Sequence, residues 1–409
     1  MKCLFATFLA STVLLLPHER AVAFDNTSYT NVNSRYRIER VLIQHSNSVV
    51  SQALQRELDR LVGRPYRTET IDAVEQRIRG EFPGFTISRN VAKGEKQDQI
   101  RVEFVLERSR KYLDLNVPRL AFHSEQKFSF GATADLNLGA TSTSLGFISD
   151  NDERVERFTG LRAAFVAPLA KNLRIAFLGE AYQSRFRGES SEFYRSRTNY
   201  EPTLIYTLAP GLEVRGGFSF NNLEFQFPAA RNQAANAVIT TLRYSKQWQL
   251  GLASTQTLEA GYSLRAAARS LGSDFQYRRH LGEARLSFAS GNSEKSKATL
   301  AFSSMIGAID GRAPVLDRFV LGNTQTLRGW NRYEIAPVGA DRVIHFSADG
   351  RYSFVRAVYD TGTIWTAGRP KVLRHSAGLG FVISGITAMV AIPIRSSSIE
   401  PIFLVGMNF

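Results

Sequence analysis

From about residue 126 to the last residue the chain alternates, with apolar and polar side chains taking turns over segment after segment. Leu173, Ile175, Phe177, Gly179 and Ala181 share one parity, while Arg174, Glu180 and Tyr182 take the other. Leu258, Ala260, Tyr262 and Leu264 oppose Glu259, Ser263 and Arg265 in the same way, and Ala298, Leu300 and Phe302 oppose Lys297, Thr299 and Ser303. Period two is the signature of strands with one apolar and one wet face. No helical spacing recurs in this region. The chain must therefore close a large antiparallel sheet on itself, or stack it.

A sandwich built from so many long strands would be oversized for a single domain. The connections also differ in length, from short turns such as Pro168 to Asn172 to polar stretches such as Arg187 to Ser196. Strands of roughly ten residues joined by alternating short turns and long loops predict a transmembrane β-barrel over 126–409. Ten segments precede residue 310 and five follow 341, an odd sum where bacterial single-chain barrels are even. One strand is therefore missed or merged in the count, and sixteen is the expected number. The final segment sets Phe403, Val405, Met407 and Phe409 on one face, with an aromatic last residue suited to a membrane interface.

The beginning of the chain reads as an export signal. Lys2 precedes an apolar run from Leu4 to Leu16, and Ala21-Val22-Ala23 offers a small-residue cleavage site. Residues 1–23 are the expected signal and 24–35 a flexible leader. Cys3, the only cysteine, would leave with the signal, which excludes disulfides and thiolate chemistry from the mature chain. The net charge of +14 is spread singly, without a basic run, so nucleic acid is not an expected partner. Scattered cations suit a watery lumen or anionic headgroups. No apolar stretch beyond the signal is long enough for a membrane-spanning helix.

Between residues 36 and 108 the texture is that of a small α/β module. Tyr36, Ile38 and Val41 to Ile43 read as a strand. Val49, Val50, Ala53, Leu54, Leu58 and Leu61 form a helical stripe ended by Gly63 and Pro65. Thr68 is placed to cap a second helix, whose stripe is Ile71, Val74, Ile78 and Phe82. Strands at Phe85 to Val91 and Ile100 to Glu107 complete it, and residues 109–125 read as a linker.

This strand-helix-helix-strand-strand order resembles a polypeptide-transport-associated (POTRA) domain. Farther on, Leu327-Arg328-Gly329-Trp330 resembles the aliphatic-Arg-Gly-aromatic loop motif of the outer-membrane insertase and translocase superfamily, also known as the bacterial surface antigen family. That group includes barrel-assembly factors, translocation-and-assembly factors and two-partner secretion transporters. Val358-Tyr359-Asp360-Thr361-Gly362 is similar to its Phe-x-Asp-x-Gly strand motif, with Val358 in place of the aromatic.

The resemblance implies sixteen strands, and a loop at about 310–341 folded into the lumen. It places Arg328 against Asp360 on the inner wall, with Gly329 permitting a tight turn, Trp330 wedged among lumen side chains and Gly362 beside Asp360. It implies that unfolded or partly folded client polypeptides are inserted into, or moved across, the outer membrane. Membrane lipid and lipopolysaccharide would surround the barrel, a periplasmic assembly partner is compatible with it, and no cofactor or metal is implied. A free sheet edge of the N-terminal module in the periplasm could accept an extended client strand.

The sequence offers no Gly-x-Ser-x-Gly elbow and no His-Glu-x-x-His helix, and His18, His45, His123, His280, His345 and His375 are isolated. No enzyme is expected. A passive porin would account for the barrel and its basic lumen, but not for the N-terminal module or a paired Arg328 and Asp360.

Overall fold

The computed structural model describes residues 35–44, 50–82, 85–96, 98–108, 113–138, 140–249, 254–290, 298–395 and 400–407. The expected signal, all of the expected leader but its last residue, and Phe409 lie outside them.

The chain divides into two compact units. The first is an α/β unit. It runs β1 (Arg37–Gln44), α1 (Gln52–Asp59), α2 (Thr68–Glu81), β2 (Phe85–Lys93) and β3 (Gln99–Arg108). The sheet order is β1-β3-β2, with β3 central and parallel to β1. A register shift between Ile38 and Arg40 explains why the apolar positions of β1 jump from Ile38 to Val41. Ser51 caps α1 by accepting from the Leu54 amide at 3.1 Å. Thr68 lies inside the first turn of α2 rather than capping it, since the Thr70 and Ile71 amides both reach the Arg67 carbonyl. Leu54, Ile71, Val74 and Ile78 on the helices and Val102 and Phe104 on β3 are all buried. Outside it, Arg89 of β2 pairs with Asp72 of α2 at 2.5 Å.

The second unit is a closed antiparallel barrel from β4 (Leu113–His123) to β20 (Ile402–Met407), paired in chain order. β11 (Arg231–Ala234) and β12 (Ala237–Gln249) both pair with β10 (Leu212–Phe225) and form one interrupted strand, so the barrel has sixteen strands. The missing strand of the sequence count is β4, which occupies most of the expected linker; the barrel starts at Leu113, not at 126. A register shift between Asn116 and Arg119, around Pro118, breaks the alternation of β4 and hides it from a period-two reading.

The rim where β4 begins is termed here the entry rim, and the opposite one the far rim. Entry-rim connections include two-residue turns at 171–172, 353–354 and 384–385, whereas far-rim connections include 187–193, 268–275 and 313–341. Alternate residues cover the outer wall with apolar side chains, among them Leu161, Phe177, Leu204 and Phe403. Phe403, Val405 and Met407 of β20 share that outward parity, and Ile402 and Leu404 are buried on the inner side.

The barrel closes between β20 and β4. Four residue pairs are formed there among the described residues, from Leu404↔His123 to Met407↔Leu120. By contrast, β14 (Gln276–Ser290) and β15 (Ala298–Arg312) share fifteen. Inside the closure, Ala121, Ile402 and Leu404 pack with Val358, Met389 and Ala391. No helix among the described residues is long and apolar enough to cross a membrane, which says nothing of strands.

Candidate functional site

The connection at 313–341 leaves β15 and returns to β16 (Arg342–Tyr352) after folding into the lumen. Phe319, Leu321, Leu327 and Trp330 are buried against inward side chains of the wall, including Tyr194, Phe225, Tyr277, Val343 and Ile364. Withdrawing such side chains from water stabilises the folded loop by about 1.5–3 kcal/mol each. That apolar seat fixes where the polar tip of the loop lands.

The tip delivers Arg328 to β17 (Val355–Trp365). The guanidinium engages Asp360 bidentately, Nε to Oδ2 at 2.9 Å and Nη2 to Oδ1 at 2.8 Å. The main-chain amide of Arg328 donates to the same Oδ2 at 3.0 Å. On β16, Nη2 also donates to the Ser347 hydroxyl at 2.8 Å, and Nη1 to Asp349 Oδ2 at 3.0 Å. Four of the five guanidinium N–H groups are thereby used. Asp349 is shared with Arg356, whose Nη2 lies 2.7 Å away. Asp360 is fully buried and Arg328 is 3% exposed. Burial alone would lower the Arg328 pKa, but the hydrogen bond to Asp360 and the charges of Asp360 and Asp349 raise it instead. A buried pair is tolerable only when satisfied in this way, and breaking it leaves an uncompensated charge.

The residues flanking Arg328 explain the motif. Leu327, not Gly329, takes the left-handed backbone, at φ 46°. Such a conformation costs about 1–3 kcal/mol for a residue other than glycine, and complete burial of the Leu327 side chain holds it there. Gly329 is needed for a different reason from the expected turn. A Cβ on it would lie 2.5 Å from the main-chain carbon and oxygen of Ile392 on β19 (Ile386–Ile394) and 2.7 Å from Ser376 Cβ on β18 (Arg374–Ile383). Trp330 Nε1 donates to the His375 carbonyl at 2.8 Å, and the guanidiniums of Arg374 and Arg395 each stand 5.4 Å from its ring centroid. Gly362 lies opposite His345 in the ladder, and a Cβ there would crowd both the His345 ring and the Ile344 carbonyl. That His345 ring accepts the Leu327 amide at 3.4 Å.

The loop is also tied across the barrel closure. Gln126 Nε2, just beyond β4, donates to the Gly322 carbonyl at 2.7 Å, and Arg119 of β4 donates to the Thr324 hydroxyl at 3.3 Å. One loop thus grips β4 on one side of β20 and β17 to β19 on the other. Between the loop tip and the entry rim the lumen holds a cavity of about 1380 Å³, lined in part by Arg328, Asp349, Arg356, Glu259, Glu283 and Arg285.

This combination of barrel and inward loop has relatives. Residues 84–382 match the model of the Omp85 superfamily domain. The chain belongs to the Omp85 superfamily. Its barrel resembles solved Omp85-type structures despite low sequence identity. BamA from Haemophilus ducreyi lacking POTRA domains 1-3 is 16% identical, with 91% of this chain and 84% of that one covered, at a TM-score of 0.52. CdiB from Acinetobacter baumannii is 11% identical over 92% and 74%, at 0.58. CdiB from Escherichia coli is 10% identical over 94% and 93%, at 0.53. No curated protein sequence matches the chain.

Within this Omp85 barrel, Leu327, Arg328, Gly329, Trp330, Asp360 and Gly362 converge at one place on the inner wall. Phe403, Val405 and Met407 belong instead to the closing strand. Reading the sequence missed Ser347 and Asp349 as partners of Arg328, and Arg356 as a second partner of Asp349. Their signal was present: His345, Ser347 and Asp349 form an inward polar row between outward Ile344 and Phe346. Gln126 and Arg119 carried no local signal. Of the histidines, His280 and His375 hydrogen-bond outward-facing Tyr262 and Tyr359, and His45 lies outside the described residues. Among the described residues no cluster suited to a metal ion occurs.

Proposed function

We propose that this Omp85 protein inserts polypeptides into the outer membrane or moves them across it, and that the loop at 313–341 is its working part. The observation that carries the reading is the Arg328 clasp. A buried, nearly saturated guanidinium is an expensive way to hold a loop, and it is understandable where the position of that loop controls the lumen and the closure. A passive pore needs an open path, whereas here a loop inside the lumen packs Phe319, Leu321 and Trp330 against the inner wall.

Two further features support the reading. Among the described residues the β4–β20 ladder has four pairs, and each ladder hydrogen bond contributes only about 0.5–1.5 kcal/mol net, which favours this closure as a place for the wall to part. The strand-helix-helix-strand-strand order of the α/β unit resembles that of a POTRA domain, and we assign it that role in the periplasm. Its β1 edge is partly covered, since Gly63 and Tyr66 donate to the Ile38 and Tyr36 carbonyls, which leaves β2 as the edge for an extended client strand. Clients are unfolded or partly folded polypeptides, with lipid and lipopolysaccharide around the barrel and room for a periplasmic assembly partner. Neither nucleic acid nor a cofactor enters the scheme.

The test compares outer-membrane and secreted proteomes of wild-type cells and a deletion strain. Loss of particular proteins from the membrane fraction means insertion, and loss from the medium means translocation. Unchanged proteomes with altered small-solute uptake would replace this reading with that of a porin.

A further inference from the structure

Three arginines stand on neighbouring strands at the far rim: Arg157 on β7 (Glu156–Ala170), Arg185 on β8 (Leu173–Phe186) and Arg195 on β9 (Tyr194–Ala209). All three are exposed. On β7 and β8, Glu156, Phe158 and Tyr182 point inward: Tyr194 donates to Glu156, and Phe158 packs edge-on against Tyr182. Alternation then sends Arg157 and Arg185 to the outer face. These two are direct cross-strand partners, and like charges placed opposite each other destabilise an antiparallel pair. Arg195 is the extra residue of a bulge, because Ser196 pairs with Glu224 and Tyr194 with Phe225. Bulges re-aim side chains at barrel rims.

The surroundings identify what could relieve this crowding. Ser149, Thr159 and Gln183 join the three arginines around a cavity of about 270 Å³. The bordering carboxylates are engaged elsewhere or weakly: Asp150, which also lines the cavity, accepts the Asp152 amide at 3.0 Å and faces Arg119 at 3.8 Å, Glu153 meets Arg157 at 3.4 Å, and Glu224 accepts from the Ser196 hydroxyl at 2.7 Å. No ion pair involves Arg185 or Arg195 among the described residues. Directly toward the entry rim on the same outer face lie Leu161, Phe177, Tyr200 and Leu204, all exposed. The patch therefore sits where an apolar belt gives way to polar surface, the level at which lipid headgroups lie. Strands stand about 4.8 Å apart, so three strands present cations over roughly 10 Å, more than a single phosphate fills.

We propose that Arg157, Arg185 and Arg195 form a binding site for the headgroup of a membrane lipid that carries more than one phosphate. Arginine forks pair bidentately with phosphate oxygens, and the Gln183 amide, with one hydroxyl of the hydrogen-bonded Ser149–Thr159 pair, supplies further donors. The acyl chains of the lipid lie along Leu161 and Phe177.

The test measures barrel unfolding temperature in phosphatidylcholine vesicles, alone and with added diphosphorylated lipid A. Parallel samples receive dephosphorylated lipid A or inorganic phosphate. The wild-type temperature should rise only with the diphosphorylated lipid, and high salt should shrink the rise. Arg157→Gln/Arg185→Gln/Arg195→Gln should lose most of it. Arg185→Gln alone should unfold no lower than wild type in phosphatidylcholine, because the cross-strand repulsion is gone, yet lose part of the lipid-dependent rise. The proposal is overturned if the triple variant keeps the full rise. It is equally overturned if dephosphorylated lipid A matches the diphosphorylated form, or if inorganic phosphate alone reproduces the effect.

Discussion

Asp360 receives Arg328 three times, through Nε, Nη2 and the main-chain amide, so one wall carboxylate fixes both the side chain and the backbone of the loop tip. Removing the guanidinium strands a buried carboxylate, at a cost of about 3–5 kcal/mol. Arg328→Ala should therefore lower the unfolding temperature of the barrel more than Arg328→Ala/Asp360→Asn does, since the second change removes the orphaned charge. Thermal unfolding of the two variants side by side checks this.

Gly329 is a steric requirement rather than a turn. Gly329→Ala should push the loop tip off Ile392 and Ser376 and open the loop to proteolysis, with Arg328 unchanged in sequence. Gly216→Ala, whose added Cβ would meet nothing within 4 Å, should leave the proteolysis pattern as it is.

The closure has its own test. Phe122 and Val405 are partners in the β4–β20 ladder. Phe122→Cys/Val405→Cys should form a disulfide in the folded barrel, and the oxidised form should deliver fewer clients than the reduced form. Equal delivery from both forms would show that the wall does not part at this closure.

The α/β unit depends on Phe104, which is fully buried on its central strand. Phe104→Ala should cost about 3–5 kcal/mol, enough to unfold a unit with so small a core. Client delivery should fall while the barrel remains inserted and heat-resistant, measured by fractionation and by thermal unfolding of the barrel.

Much of the architecture was legible because period two is a strong signal wherever a strand has one lipid-facing side. β4 escaped because Pro118 shifts its register, and a strand with a broken alternation looks like a linker. The site was legible in part. Arg328 and Asp360 stood out through motif resemblance, whereas Ser347 and Asp349 were ordinary inward polar residues until the loop met them. Gln126 and Arg119 reach the loop from about two hundred residues away in sequence, a contact that only closure of the barrel creates. Gly329 illustrates a further limit: a glycine chosen for close approach and one chosen for backbone freedom look identical in sequence.

The most direct test replaces the chromosomal copy with Arg328→Ala or Asp360→Ala and measures client delivery at matched amounts of inserted barrel. Both variants should lose delivery while the barrel itself remains in the outer membrane. If both deliver clients as the wild type does, the clasp is only structural and the loop at 313–341 is not the working part of the protein.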